Sequence, residues 1–140
     1  MVYKKFAQTF VIRLEIGEDL CACLLELARK EDIGLASVSG IGASSAVEVG
    51  MFDVATKSYT AVENNNFLEL VSLAGNMSLK GGEPYLHLHA ALADPVNHTV
   101  LAGHLTRLIV GATAEIFVST LPGMVERSVC PHTGLNLLDI

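Results

Sequence analysis

Tyr85-Leu86-His87-Leu88-His89, followed fifteen residues later by His104 in Ala102-Gly103-His104-Leu105, is the stretch on which the reading of the fold turns. Strict alternation marks a strand, and on a strand residues i and i+2 share a face. His87 and His89 therefore point one way, and Leu86 and Leu88 the other. Asp94-Pro95-Val96-Asn97-His98-Thr99 has the composition of a turn, so residues 85–93 and 99–105 should form a hairpin. A four-residue loop from Pro95 to His98 sets Asp94 opposite Thr99. Counting back, His89 then lies opposite His104, with His87 on the adjacent diagonal. The same register gathers Leu88, Ala90, Leu92, Leu101 and Gly103 on the reverse face. A slip of one residue would send His104 to the leucine face, so the apolar pattern and the histidine cluster require the same pairing.

Imidazoles converging on one space are a common protein device for holding a divalent metal. His87, His89 and His104 are the expected ligands, and three neutral imidazoles leave a tetrahedral ion one open position. Zinc is the first expectation, with nickel, iron or another divalent transition metal in its place. Such an ion could activate water or polarise a carbonyl. A carboxylate nearby would serve that chemistry, and Glu115 is the leading candidate because it interrupts an otherwise uncharged strand; it could orient a histidine or move a proton. Glu69 and Glu48 are weaker candidates, and Asn76 could donate a hydrogen bond to a ligand. The trio is also compatible with half-buried structural histidines or a subunit contact. His98 and His132 are expected to be exposed, a metal pair of His132 with Cys130 is not favoured, and neither Ser39 nor Ser44 sits in a nucleophile elbow.

Outward from the histidines, Phe10, Ile12, Leu14 and Ile16 alternate within residues 3–16, read as a first strand. Gly17 ends it. Glu18 and Asp19 suit the first turn of a helix, Leu20, Cys23, Leu24, Leu27 and Ala28 trace its apolar stripe, and Lys30 closes it. Residues 33–39 read as a short strand ending at Gly40-Ile41-Gly42-Ala43. That Gly-x-Gly lacks the rest of a dinucleotide or Walker signature and is better read as a tight turn or close backbone packing. Strands follow at 46–53, 57–64, 67–76, 85–93, 99–105 and 110–119, separated by turns at Ala55-Thr56-Lys57, Asn64-Asn65-Asn66 and Lys80-Gly81-Gly82-Glu83-Pro84. The residues beyond Pro122-Gly123 read as a less regular tail. About seven short strands and one helix predict an α+β fold with a mainly antiparallel sheet, curled or layered.

The 140 residues are expected to form one domain, residues 1–140. Apolar residues make up 51% and charged residues 17%, with a mean hydropathy of +0.46. So little charge implies a large core or apolar surface covered by another subunit. No apolar run approaches a membrane span, and residues 1–6 do not read as a signal peptide. Cys21, Cys23 and Cys130 fit free thiols in a reducing compartment, hence a cytoplasmic location. A net charge of −6 argues against general affinity for a phosphate backbone.

The succession Gly40-Ile41-Gly42-Ala43, Leu70-Val71-Ser72-Leu73-Ala74-Gly75-Asn76, Pro84-Tyr85-Leu86-His87-Leu88-His89, Gly103-His104-Leu105 and Glu115-Ile116-Phe117 resembles the plants-and-prokaryotes conserved domain, catalogued as a domain of unknown function. Arg13 and Gly17-Glu18 are similar to that family's opening, and the likeness runs from about Phe6 to Leu138. The resemblance implies a strongly curved, mainly antiparallel sheet with one principal packed helix, and a trimer-forming chain. It also implies a histidine trio like His87, His89 and His104, near a subunit boundary, which binds zinc in some members. Ala102 departs from the family's usual glycine before the third histidine without removing a ligand. In plants the domain follows an AT-hook for AT-rich DNA. These residues contain no Arg-Gly-Arg-Pro hook, so direct DNA binding is not expected. Three functions are therefore in view: a homotrimeric metal-binding domain that recognises a small molecule or protein partner, a metal-dependent hydrolase or lyase, and a regulatory nucleic-acid-associated protein.

Overall fold

The computed structural model describes all 140 residues, as nine strands and one helix. In chain order these are β1 (Val2–Phe6), β2 (Thr9–Glu15), α1 (Leu20–Lys30), β3 (Ala36–Asp53), β4 (Ser58–Asn64), β5 (Leu68–Lys80), β6 (Glu83–Asp94), β7 (Thr99–Thr120), β8 (Arg127–Val129) and β9 (Asn136–Leu138). Seven strands form one sheet in the order β1-β2-β7-β6-β5-β3-β4, and β7 also pairs with β3. Every ladder is antiparallel. The extra pairing makes β3, β5, β6 and β7 a closed circuit, with β1–β2 attached to β7 and β4 to β3. The fold is thus α+β with a strongly curved antiparallel sheet and a single helix.

Alternation writes the core into the strands. Phe10, Ile12 and Leu14 of β2 face inward, as do Leu88, Ala90 and Leu92 of β6 and Ala114, Ile116 and Val118 of β7. Leu20, Leu24, Leu27 and Ala28 bury the helix stripe against them. Asp19 is the N-cap, accepting from the Ala22 amide at 3.1 Å, and Arg29 and Lys30 lie at the negative end. Glu18 lies outside the helix and takes the N-terminal amine, so the first turn, expected to carry both carboxylates, holds no acidic residue.

The structure departs from the sequence reading in where strands begin and end. Residues 3–16 are not one strand but the β1–β2 hairpin, turned at Ala7 in the left-handed region (φ 51°); Ile16 lies beyond β2 and is exposed. The short strands expected at 33–39 and 46–53 are parts of the continuous β3, and those at 99–105 and 110–119 are parts of β7. Gly40 and Gly42 do not end β3. They let it lie against β7, where a Cβ on Gly42 would stand 2.5 Å from the Thr113 carbonyl oxygen. Register shifts between Gly42 and Ser44 and between Glu48 and Val49 mark where these two long strands bend to close the circuit. The tail is ordered too, since β8 and β9 pair as a small ribbon.

Candidate metal centre

The β6–β7 ladder pairs Asp94 with Thr99, Leu92 with Leu101, Ala90 with Gly103 and His89 with His104, the register expected from the turn. Ring centroids lie 5.4 Å apart for His87 and His89, 5.2 Å for His87 and His104, and 5.5 Å for His89 and His104. One ring nitrogen from each residue can be chosen so that all three lie within 4.8 Å of one another. Zinc bonded at about 2.0–2.1 Å to each nitrogen needs them about 3.3 Å apart, inside the 4.8 Å limit within which the three nitrogens already lie. His89 is exposed and the other two are half-buried. Beside them on the same face stand Ala74, opposite His89, and Ala91 paired with Ala102. These small side chains leave the outer side of the cluster open.

Burial pushes the imidazoles of His87 and His104 below their usual value. The neighbouring charge of His104, and then Arg127 and His89, adds to this at His87, and His89 adds to it at His104. Both effects favour the neutral ring, which is the form that binds metal.

Two further groups enclose the cluster. Gly50 of β3 pairs with His104, and a Cβ there would collide with the ring of Tyr59. The bare glycine lets Tyr59 cross over β3, donate to the His104 carbonyl oxygen at 3.3 Å, and set its ring edge-on to the imidazole at 6.0 Å. On the opposite flank Asn76 pairs with His87 across β5–β6. Its Oδ1 accepts from Arg127 NH2 at 2.6 Å. Neither Tyr59 nor Arg127 was visible as a site residue in the sequence. Tyr59 lies in a plain strand, and Arg127 lies in the segment read as irregular tail.

The candidate carboxylates are not equally placed. Glu115 is exposed and pairs with Arg13 of β2 and Ile41 of β3. It stands eleven residues along β7 from His104, about 36 Å of strand contour at ~3.3 Å per residue, so one chain does not bring it to the cluster. Glu69 pairs with Ala93 and Ala43, also away from it. Glu48 stands two residues from Gly50, and Thr106 Oγ1 donates to its carboxylate and its carbonyl. His98 and His132 are exposed, as expected, and the three cysteines are free. A separate cavity of about 370 Å³, lined by Asn64, Asn66, Asp94 and Asn97 among others, lies at the turn end of the β6–β7 hairpin.

Fold and site together define a small α+β protein built on a closed antiparallel sheet, with three imidazoles able to share one ion. Residues 1–122 match the Plants and Prokaryotes Conserved (PCC) domain, and the chain belongs to that family. No curated protein matches it. Among solved structures, it is similar to a metal-containing protein of Archaeoglobus fulgidus, with 34% identity, a TM-score of 0.89 and coverage of 100% of this chain and 99% of that one. A plant- and prokaryote-conserved protein of Pyrococcus horikoshii is 32% identical, with a TM-score of 0.87 and coverage of 99% and 95%. A protein of Bacteroides thetaiotaomicron, provisionally termed DNA-binding, is 28% identical, with a TM-score of 0.94 and coverage of 99% and 96%.

Proposed function

We propose that this chain is a metal-binding domain that acts as a homotrimer. It holds Zn2+ or another divalent transition metal on His87, His89 and His104, and binds a small molecule or protein partner beside the ion. The observation that carries the reading is the approach of three imidazole nitrogens to within 4.8 Å from two adjacent strands. The metal-containing relative from Archaeoglobus fulgidus supports it. Loaded with zinc, such a site offers a Lewis acid with one exchangeable position.

Assembly is supported by surface chemistry. Ile41, Met51, Phe67, Val71, Val100 and Phe117 are all exposed in the single chain, and the composition is poor in charge. A subunit interface would cover such side chains. The free thiols fit a cytoplasmic setting. Direct contact with DNA is not part of the reading, because a net charge of −6 opposes phosphate binding. A hydrolase or lyase would need a proton-transfer group at the ion, and Glu115 does not reach it within its own chain.

The test is elemental analysis of the purified protein combined with a diffraction map at the metal edge. Stoichiometric metal on three imidazoles is expected. His104→Ala should lose that metal while keeping its helix and sheet content, and full retention would overturn the ligand set.

A further inference from the structure

Arg127 is a cation without a counterion. Only 8% of it is exposed, yet none of the ion pairs in the molecule includes it. Its partners are neutral oxygens: Nε donates to Ser78 Oγ at 2.7 Å, NH1 to the Asn136 carbonyl at 2.7 Å, and NH2 to Asn76 Oδ1 at 2.6 Å. The face of Tyr85 covers the guanidinium, with its carbon 5.0 Å from the ring centroid. Removing a charge from water without an opposite charge is costly, and burial accordingly lowers the Arg127 pKa from its usual value. Two of the five N–H donors of a guanidinium remain after these three bonds.

The position of this charge matters more than its burial. Ser78 and Asn76 alternate on β5, and their partners across the ladder are Tyr85 and His87. The guanidinium therefore lies on the histidine face, bonded to the residue that stands directly across the ladder from His87. A metal ion on the trio would add a second cationic centre beside it, and no carboxylate of the chain pairs with either.

We propose that Arg127 and the ion on His87, His89 and His104 form one composite site for a small organic carboxylate carrying a second oxygen donor. The hydroxyl or carbonyl oxygen takes the open position on the metal, and the carboxylate pairs with the guanidinium. This rests on the metal reading above and adds to it the class of ligand. Arg127 suits the role because NH1 and NH2 each retain one N–H donor for a carboxylate oxygen and the guanidinium keeps its charge at any physiological pH. Its three neutral bonds and the Tyr85 ring hold it in place before a ligand arrives, which reduces the ordering cost of binding.

The test begins with zinc stoichiometry of the wild type, followed by calorimetric titration of the zinc-loaded protein with glycolate, 3-hydroxypropionate, 4-hydroxybutyrate and inorganic phosphate. At least one hydroxycarboxylate should bind, at least tenfold more weakly in Arg127→Gln at unchanged zinc content, with partial recovery in Arg127→Lys. Because Arg127→Gln removes bonds that anchor the tail, the folded wild type provides an independent reading. The Arg127 Nε–H resonance should shift when the ligand is added to the zinc form. Zinc uptake with no hydroxycarboxylate binding, binding of equal strength in a folded Arg127→Gln, or an unmoved Nε–H signal overturns this proposal alone. Tighter, Arg127-dependent binding of phosphate overturns the carboxylate assignment. A wild type that takes up no zinc overturns the metal reading and this one together.

Discussion

His89 and His104 stand directly opposite one another across the β6–β7 ladder, their ring centroids 5.5 Å apart. The next pair along, Ala90 and Gly103, faces the other way into the molecule. One register thus fills the core and assembles the histidine cluster, so the stability of the hairpin and the geometry of the site are coupled. A change that shifts the ladder should damage both, and a change confined to either face should damage one.

Acid should weaken the fold and the site together. His87 and His104 are held below the ordinary imidazole value in the native state, while the unfolded chain takes up protons at the unperturbed value of about 6.5. Below that pH the unfolded state binds more protons, so stability is lost as pH falls and is flat in these groups above it. Metal affinity should fall over the same range, since protons compete for the same nitrogens. Urea midpoints and zinc titrations between pH 8 and pH 5 check this. A metal-free protein that gains stability on acidification through this range, by an amount that disappears in His87→Gln/His104→Gln, would contradict it.

Gly75→Ala should disturb the cluster from the strand behind it. A Cβ at Gly75 would run into the carbonyl oxygen of His87, with the Leu88 Cα at 2.8 Å. Backbone atoms can yield only by parting β5 from β6. Overpacking of this kind costs about 1–3 kcal/mol, and displacement of His87 should also weaken zinc binding. Unchanged unfolding free energy together with unchanged zinc affinity would show that the strands have slack the structure does not show.

Leu88→Ala and His87→Ala, adjacent in sequence and opposite in face, should separate the two roles of β6. Leu88 is 1% exposed, and its truncation should cost about 2–5 kcal/mol while zinc stoichiometry holds under folding conditions. His87→Ala should change metal-free stability by less than about 1 kcal/mol and abolish stoichiometric zinc. Denaturant unfolding and metal analysis of the two variants provide the comparison; the reverse pattern would mean the faces are misassigned.

The native mass in solution should correspond to three chains. Light scattering or sedimentation at micromolar concentration measures it. A clean monomer would leave the exposed Ile41, Met51, Phe67 and Phe117 without the covering proposed for them.

The central hairpin was the most legible part of the chain because its signals are local. Period-two alternation assigned faces to residues 85–93, and the turn chemistry of Asp94–His98 set the offset between the two strands. The helix was equally clear from its apolar stripe, although its two carboxylates cap and precede the first turn rather than lie in it. Strand limits were less so. Gly40 and Gly42 carry the usual marks of a break, but β3 runs through them because a second strand lies too close for side chains. The separation of residues 3–16 into β1 and β2 depends on a left-handed Ala7, which has no compositional signature.

By itself, then, the sequence determined the fold class, the single helix, the hairpin register and the convergence of His87, His89 and His104, since each follows from periodicity and turns within a short span. Only the tertiary structure decided that β7 also meets β3 to close the sheet, that Tyr59 crosses Gly50 to reach His104, that Glu115 stands apart, and that Arg127 anchors on Asn76. These are pairings between residues some 45 or more positions apart in the two hydrogen-bonded cases. They arise when a curved sheet brings distant strands into contact, and no repeating pattern in the chain records which distant partner a strand or a single side chain will meet.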